Sequence, residues 1–294
     1  MDSPFARMSP LGTMSLSSAL ALSASVSVVC ATIAVLRLFS ILPHSGGDAP
    51  KPRLRPHHPT CKLSVFLGSG GHTSESLAMI SGLDFKKYQP RVYYVSEGDT
   101  LSAHKAIELE RRKIDATRES SNEVVPSYHG ANSNDISRTQ PTPDLEGEPY
   151  KIVVIPRARR VHQSLLTTPV TALVSLLSCI YFITVQPFLQ RKSRKSRFNQ
   201  RPRGTSSPPA GGADQNEVLV LNGPGTCLML AAAVYLNRIL ALPSPVIIYV
   251  ESFARVSSLS LSGRLIQPFA DRFIVQWPQL LRSAKTGEYH GWLV

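Results

Sequence analysis

LSVFLGSGGHTSES, residues Leu63–Ser76, is the stretch around which the rest of the chain is organised. The apolar run Leu63–Leu67 reads as a buried strand, and three glycines around one serine, Gly68-Ser69-Gly70-Gly71, follow it directly. This predicts a strand that ends in a tight turn and enters a helix, an arrangement that presents backbone N–H groups to an anion. Neither common phosphate motif is matched. A Walker loop carries Lys where His72 stands, and a dinucleotide fingerprint carries its third glycine where Thr73 stands. What remains is a helix start that offers N–H groups and the Thr73 hydroxyl to a phosphate. His72 has three readings open to imidazole: a general base for a sugar hydroxyl, a hydrogen-bond donor to the phosphate, or a packed ring. Glu75, one helical turn on, either orients that ring or solvates the helix start.

Five further runs resemble the first: Val92–Val95, Ile152–Ile155, Val218–Leu221, Val246–Val250 and Phe273–Val275. Between them lie segments long enough for helices, such as Ser74–Ile80, Thr100–Arg112 and Leu228–Leu240. Short β-branched runs without alternation, separated by helical stretches, indicate a parallel sheet covered on both faces. The expected class is α/β, doubly wound, in which ligands bind at the carboxyl ends of the strands.

The residues that follow the strands are therefore the candidate site. After the first come Gly68–Thr73 and after the third Arg157 and Arg159, available to offset a phosphate's charge. After the fourth comes Asn222-Gly223-Pro224-Gly225, which reads either as a plain turn or as a close backbone approach to a ligand. Glu251 ends an apolar strand and needs a partner, Arg255 or a sugar hydroxyl. Ser96–Asp99 reads as an ordinary polar loop.

The 294 residues carry 32 Lys and Arg against 20 Asp and Glu, a net charge of +12 that favours anionic partners. Much of the excess lies in Lys51–Lys62 and Arg191–Arg203, each just after an apolar segment, the pattern that a cytoplasmic membrane face attracts. Phe198 is the one aromatic in the second cluster, so nucleic acid is not expected as a partner. The four cysteines are far apart without metal-type spacing, and read as reduced thiols. No metal site or cofactor is expected.

From Met8 to Leu36 no charged residue occurs. Arg7 alone precedes the segment whereas Arg37 and the basic cluster follow it, which favours a retained signal-anchor over a cleaved signal peptide. The expected layout is a lumenal amino terminus (1–18), an anchor (19–42), a basic linker (43–61) and a cytosolic body (62–294). Leu165–Leu189 is also long and uncharged, but Pro169, threonines and serines interrupt it. It reads as a helix of the fold, either lying in the membrane interface or simply buried. Residues 115–148 and 192–217 are Ser-, Pro- and Asn- or Arg-rich and read as disordered insertions. Without them about 170 residues of the body remain, the size of one domain.

LGSGGHTSE, IPRARRVHQS, NGPGTC, YVESFARVSSLSLSG and PFADRFIVQWP, in this order after an amino-terminal apolar segment, resemble the asparagine-linked glycosylation protein fourteen family. That family is the membrane-anchoring subunit of the dolichol-pathway UDP-N-acetylglucosamine transferase. The resemblance implies the amino-terminal, acceptor-side Rossmann-like half of a split GT-B glycosyltransferase. A separate soluble subunit supplies the catalytic UDP-N-acetylglucosamine-binding half, and the acceptor is dolichyl-diphosphate-N-acetylglucosamine. The implied location is the cytosolic face of the endoplasmic reticulum membrane, or the nuclear envelope.

Carried over by position, Gly68, Ser69, Gly70, Gly71, His72, Thr73, Arg157 and Arg159 would face the acceptor diphosphate. Asn222, Gly223, Gly225, Glu251 and Arg255 would line the acceptor cleft. Trp292, Leu293 and Val294, aromatic and apolar near a chain end, are expected to dock the soluble partner. The two insertions and Arg160 depart from the family pattern. A self-sufficient membrane glycosyltransferase is the competing reading, and it would need a nucleotide loop that the sequence does not display.

Overall fold

The structure, a computed structural model, describes residues 16–43, 60–121, 149–159, 163–164, 166–189, 217–284 and 286–294. The segment before residue 16, most of the basic linker, residues 122–148 and 192–216 of the expected insertions, and Arg160 lie outside the described residues.

β1 (Lys62–Leu67) lies between β2 (Arg91–Ser96) and β4 (Glu217–Leu221), with Val65 opposite Tyr93 on one side and Val220 on the other. With β3 (Tyr150–Ile155), β5 (Val246–Val250), β6 (Arg272–Val275) and β7 (Gly287–Tyr289), they form one seven-stranded sheet of order β3-β2-β1-β4-β5-β6-β7, with every pairing parallel. The strand order reverses between β1 and β4, and that switch point is where an open α/β sheet leaves a crevice. The expected doubly wound Rossmann-like class is the observed one. Helices α2 (Gly71–Ser81), α3 (Thr100–Ser121), α4 (Thr168–Ile180), α5 (Thr226–Ile239) and the short α6 (Leu261–Ile266) make the connections.

Burial explains why β1 is apolar on both faces. Residues Leu63 to Leu67 are all buried; Leu63, Val65 and Leu67 pack with Leu77 and Ile80 of α2, Tyr93 and Val95 of β2 and Ala106 of α3. Ser64 and Phe66 point to the opposite face. The α2–α3 side also holds a buried ion pair. Arg91 donates through Nε to Oε1 of Glu110 at 2.6 Å and through Nη2 to Oε2 at 2.8 Å, while its Nη1 reaches the carbonyls of Phe85 and Tyr88. The Tyr93 hydroxyl donates to the same carboxylate at 2.6 Å. Burial and the Glu110 charge push the Tyr93 phenol well above its ordinary value.

Three boundaries differ from the sequence reading. β7 was not expected, because a three-residue Gly-Glu-Tyr strand has neither length nor β-branching to announce it. α3 continues to Ser121, into the stretch read as an insertion from Asp115. Lys113, Arg118 and Glu119 are good helix formers, and the helix-neutral serines follow only at its end. Glu217 is the first residue of β4, where it pairs with Lys62 of β1 at 2.7 Å.

The amino-terminal unit contains α1 (Leu16–Ile41), a single 26-residue helix whose apolar side chains, among them Leu22, Val29, Leu36 and Phe39, are exposed. Its hydroxyls are satisfied within the helix: Ser23, Ser25, Ser27, Thr32 and Ser40 donate to carbonyls three or four residues back at 2.8–2.9 Å. These five hydroxyls therefore present no unmet donor to an apolar surrounding, while the charged Arg37 lies near the helix's carboxyl end. At about 1.5 Å per residue it is long enough to cross a bilayer.

α4 continues through a π-helical turn, Tyr181–Val185, to Leu189, and the whole is also long and apolar enough to cross a membrane. It packs on α5, yet Val170, Leu173, Val174, Leu177, Tyr181 and Phe188 stay exposed along one side. It is neither wholly buried nor detached from the sheet.

Candidate functional site

The loops after β1 and β4 meet above the switch point. Gly68 is the first contact: a Cβ there would stand 2.9 Å from His72 Cβ, 3.1 Å from Pro224 Cδ and 3.3 Å from the Asn222 carbonyl oxygen. Only the missing side chain lets the two loops close on each other. Gly223, with φ +121°, lies against the His72 ring: a Cβ there would stand 3.2 Å from its Cγ. The His72 imidazole is thus seated between the two loops, half-buried, while Ser69, Gly70 and Gly71 remain exposed at the start of α2. No side chain caps that helix start, so its first N–H groups face outward for an anion.

Thr73 is placed differently from the expectation. Its side chain is buried, its hydroxyl donates to the Gly68 carbonyl, and it lies 2.6 Å from the Ser102 hydroxyl. Ser102 in turn donates to Asp99 at 2.6 Å. The hydroxyl therefore holds the turn from inside and does not offer itself to the crevice. Asp99 also accepts from the Ser102 N–H, capping α3, which is the ordinary role expected for the Ser96–Asp99 loop.

The central feature is a polar chain through Asn222, which is fully buried. Its Oδ1 is 2.7 Å from His72 Nδ1, and its Nδ2 donates to Oε2 of Glu75 at 2.8 Å. Oε1 of Glu75 accepts from the Ser252 hydroxyl and the Phe253 N–H, both at 3.0 Å. Loops after β1, β4 and β5 are tied by one carboxylate. His72 Nδ1 and Glu75 Oε2 are 3.9 Å apart, beyond hydrogen-bond reach, so Glu75 acts on the ring through the amide rather than directly.

The loop after β3 reaches across to α5. The Ala158 N–H donates to Thr226 Oγ1 at 3.4 Å, and its carbonyl accepts from Thr171 at 2.9 Å. Arg157 donates through Nε to the Glu97 carbonyl at the end of β2, and the exposed Arg159 donates to the Gln163 carbonyl. The peptide between the two arginines thus touches the residue that follows Gly225.

Glu251 is satisfied inside the protein by Ser252 and Ser260, and Arg255 does not hold it. Its Oε1 accepts from the Ser252 N–H, and its Oε2 from the N–H and hydroxyl of Ser260, all at 3.1 Å. The Ser260 hydroxyl in turn caps α6 by accepting from the Gly263 N–H. Arg255 stands exposed on the loop above. The strand-ending carboxylate is a brace for the β5–α6 connection, not a free group lining the cleft.

The chain's last residues are partly tied down. Trp292 lies 5.5 Å from Trp277 and 5.9 Å from Phe253, ring centre to ring centre, yet is 62% exposed. The Leu293 N–H donates to Gln276, whose side chain donates to the Glu251 carbonyl. Val294 is exposed. No group of three metal-ligating side chains occurs among the described residues. Cys61, Cys179 and Cys227 are buried as thiols, and burial pushes Cys227 well above its usual value.

Sequence reading missed the Glu75–Ser252–Phe253 connection and the Phe253–Trp277–Trp292 cluster. The signal for the first was present, since a carboxylate one turn into a glycine-started helix points back over the strand ends. The second depends on β7, which carries the chain end back to the loop after β5.

A single parallel sheet with a polar crevice at its switch point defines a Rossmann-like α/β protein, and a separate helix is long and apolar enough to cross a membrane. The chain belongs to the family described as "Oligosaccharide biosynthesis protein Alg14 like", which it matches over residues 63–293. It is similar to the "UDP-N-acetylglucosamine transferase subunit ALG14" of Cryptococcus neoformans var. neoformans serotype D (strain JEC21), 38% identical over 244 residues that cover 83% of this chain and 84% of the relative. The Schizosaccharomyces pombe protein named as the same subunit is 38% identical over 229 residues, covering 78% and 81%. The Mus musculus one is 31% identical over 249 residues, covering 82% and 88%. No solved structure matches the chain. The family resemblance carried by the five motifs is thereby established.

Proposed function

We propose that the chain is the membrane-anchoring, acceptor-binding subunit of a UDP-N-acetylglucosamine transferase. It presents dolichyl-diphosphate-N-acetylglucosamine to a soluble subunit that binds the nucleotide sugar. The observation that carries this reading is the seating of His72 between the loops after β1 and β4, beside a helix start that no side chain caps. An anionic acceptor has its diphosphate at Ser69–Gly71, with Arg157 and Arg159 offsetting its charge. Its sugar lies toward His72 and the Asn222–Gly225 loop.

In the transfer, the acceptor hydroxyl oxygen bonds to the anomeric carbon of the donor sugar. The bond from that carbon to the diphosphate oxygen breaks, the electron pair leaves with the nucleoside diphosphate, and the hydroxyl proton goes to a base. The donor half comes from the partner, as the resemblance to a split GT-B enzyme implies. The partly exposed Trp292, with Leu293 and Val294, forms the docking edge.

α1 anchors the chain in the endoplasmic reticulum membrane, or the nuclear envelope, with the body on the cytosolic side. The exposed apolar side of α4, followed in sequence by the basic run Arg191–Arg203, supports a second contact in the membrane interface. A test is fractionation with co-expressed soluble partner. The partner is expected in the membrane pellet only when this chain is present, and an equally soluble partner in both cases would refute the reading.

A further inference from the structure

The hydrogen-bond chain from Glu75 to His72 determines more than the ring's position. A carboxylate only accepts, and both oxygens of Glu75 are engaged: Oε1 by the Ser252 hydroxyl and the Phe253 N–H, Oε2 by Asn222. The Asn222 side chain must therefore turn its NH2 group to Glu75 and its carbonyl oxygen to His72. The 2.7 Å contact between Asn222 Oδ1 and His72 Nδ1 then needs a donor, and only the ring can supply it. In the neutral ring this leaves the proton on Nδ1 and the lone pair on Nε2.

We propose that Glu75 is a positioning residue that sets the tautomer of His72 through the Asn222 amide, so that the ring offers Nε2 as the proton acceptor for the attacking hydroxyl. The inference rests on the reading of the crevice as an acceptor site, and among the three roles open to His72 it takes up that of the base. Gly223 leaves space against the ring, and the amide fixes which nitrogen carries the proton. Glu75 is held from the far side by the loop after β5, whose Phe253 carbonyl accepts from the Trp277 indole at 2.7 Å. The carboxylate is thus held by one backbone N–H and one hydroxyl of the loop after β5 and by the Asn222 amide.

Glu75→Gln is the discriminating variant, since it keeps shape and replaces one acceptor with a donor. If the glutamine keeps its oxygen toward Phe253 and Ser252, its NH2 group meets the Asn222 NH2 group. Asn222 must then turn over, and His72 Nδ1 becomes the acceptor with the proton on Nε2. In full-length chain with its soluble partner in membranes, E75Q is expected to lower kcat by about 100-fold, the lower end of what a positioned acid–base group contributes. The KM for the acceptor is expected to change by less than about threefold, the mark of a loss confined to the transition state.

Histidine-selective 15N spectra of the full-length chain in detergent, with His72 assigned by its disappearance in H72Q, read the tautomer directly. The wild type is expected to show a protonated Nδ1 and a bare Nε2, and E75Q the reverse. A wild-type ring with its proton on Nε2 overturns the proposal whatever the variant does, and so does E75Q with wild-type kcat. If the wild-type complex transfers no sugar at all, the functional reading fails, whereas the spectra still decide the tautomer.

Discussion

The imidazole of His72 rests against Gly223: a Cβ at that glycine would lie 3.2 Å from the ring's Cγ. The two residues are brought together because β1 and β4 are sheet neighbours, although 150 residues separate the loops that follow them. Gly223 serves twice, by adopting φ +121° and by leaving space for the ring. Gly223→Ala is expected to cost about 1–3 kcal/mol of stability from the backbone conformation alone. Displacement of the ring is expected to lower transfer by about 10- to 100-fold, as misplacements of an ångström do. Denaturant unfolding and the transfer rate of the purified complex check the two effects separately; an unchanged rate would mean that the seat does not matter for chemistry.

Arg91 and Glu110 form the second test, one of folding. Both side chains are buried, 3% and 0% exposed, and the pair is bidentate. Glu110→Ala leaves a buried guanidinium without its counter-charge and is expected to cost about 3–5 kcal/mol. It also strands the Tyr93 hydroxyl, which donates to the same carboxylate. A loss under about 1 kcal/mol would show that the pair is far better hydrated than the structure has it.

The proposed docking edge makes a prediction about binding rather than stability. Trp292 contributes to the aromatic cluster but lies outside the core. Trp292→Ala is expected to weaken recovery of the soluble partner by about 30-fold or more, the effect of an aromatic hot spot worth about 2 kcal/mol. Deletion of Trp292–Val294 should abolish it. Co-purification at wild-type level by the truncated chain would place the docking surface elsewhere.

The edge strand that carries this tail depends on pH. Arg272 of β6 pairs with Glu288 of β7, and that hydrogen bond holds the carboxyl below its ordinary value of 4.5. His290 also reaches the same carboxylate. With the folded value depressed, the stabilisation is fully present above the unfolded carboxyl value and is lost as pH falls through the folded one. Amide protection in β7, taken relative to the intrinsic exchange rate, should therefore fall selectively below about pH 4. Glu288→Gln should remove that dependence.

Six of the seven strands were legible from composition because a parallel strand buried on both faces is an uninterrupted apolar run. Their loops then followed, since the switch-point crevice needs only strand order. β7 was not legible: its pairing with β6 comes from register, Phe273 opposite Gly287, and not from its own residues. Of the candidate site, His72, Asn222 and Gly223 lie together. Thr73 in the first turn of α2 and Glu251 after β5 turn inward for the same reason: each buried polar side chain is claimed by a nearby turn, Gly68 for one and Ser260 for the other. A sequence shows that such groups need partners but not which partner lies within 3 Å. Glu75 shows the converse, because its role rests on Asn222 and on Phe253, some 150 and 180 residues away along the chain.

The most direct test of the account is transfer of N-acetylglucosamine from UDP-N-acetylglucosamine to dolichyl-diphosphate-N-acetylglucosamine. It is measured in membranes that lack the endogenous complex, with this chain alone, the soluble partner alone, and both. The account predicts product only when both are present. Transfer by this chain alone would contradict it, since the donor site would then lie within these 294 residues.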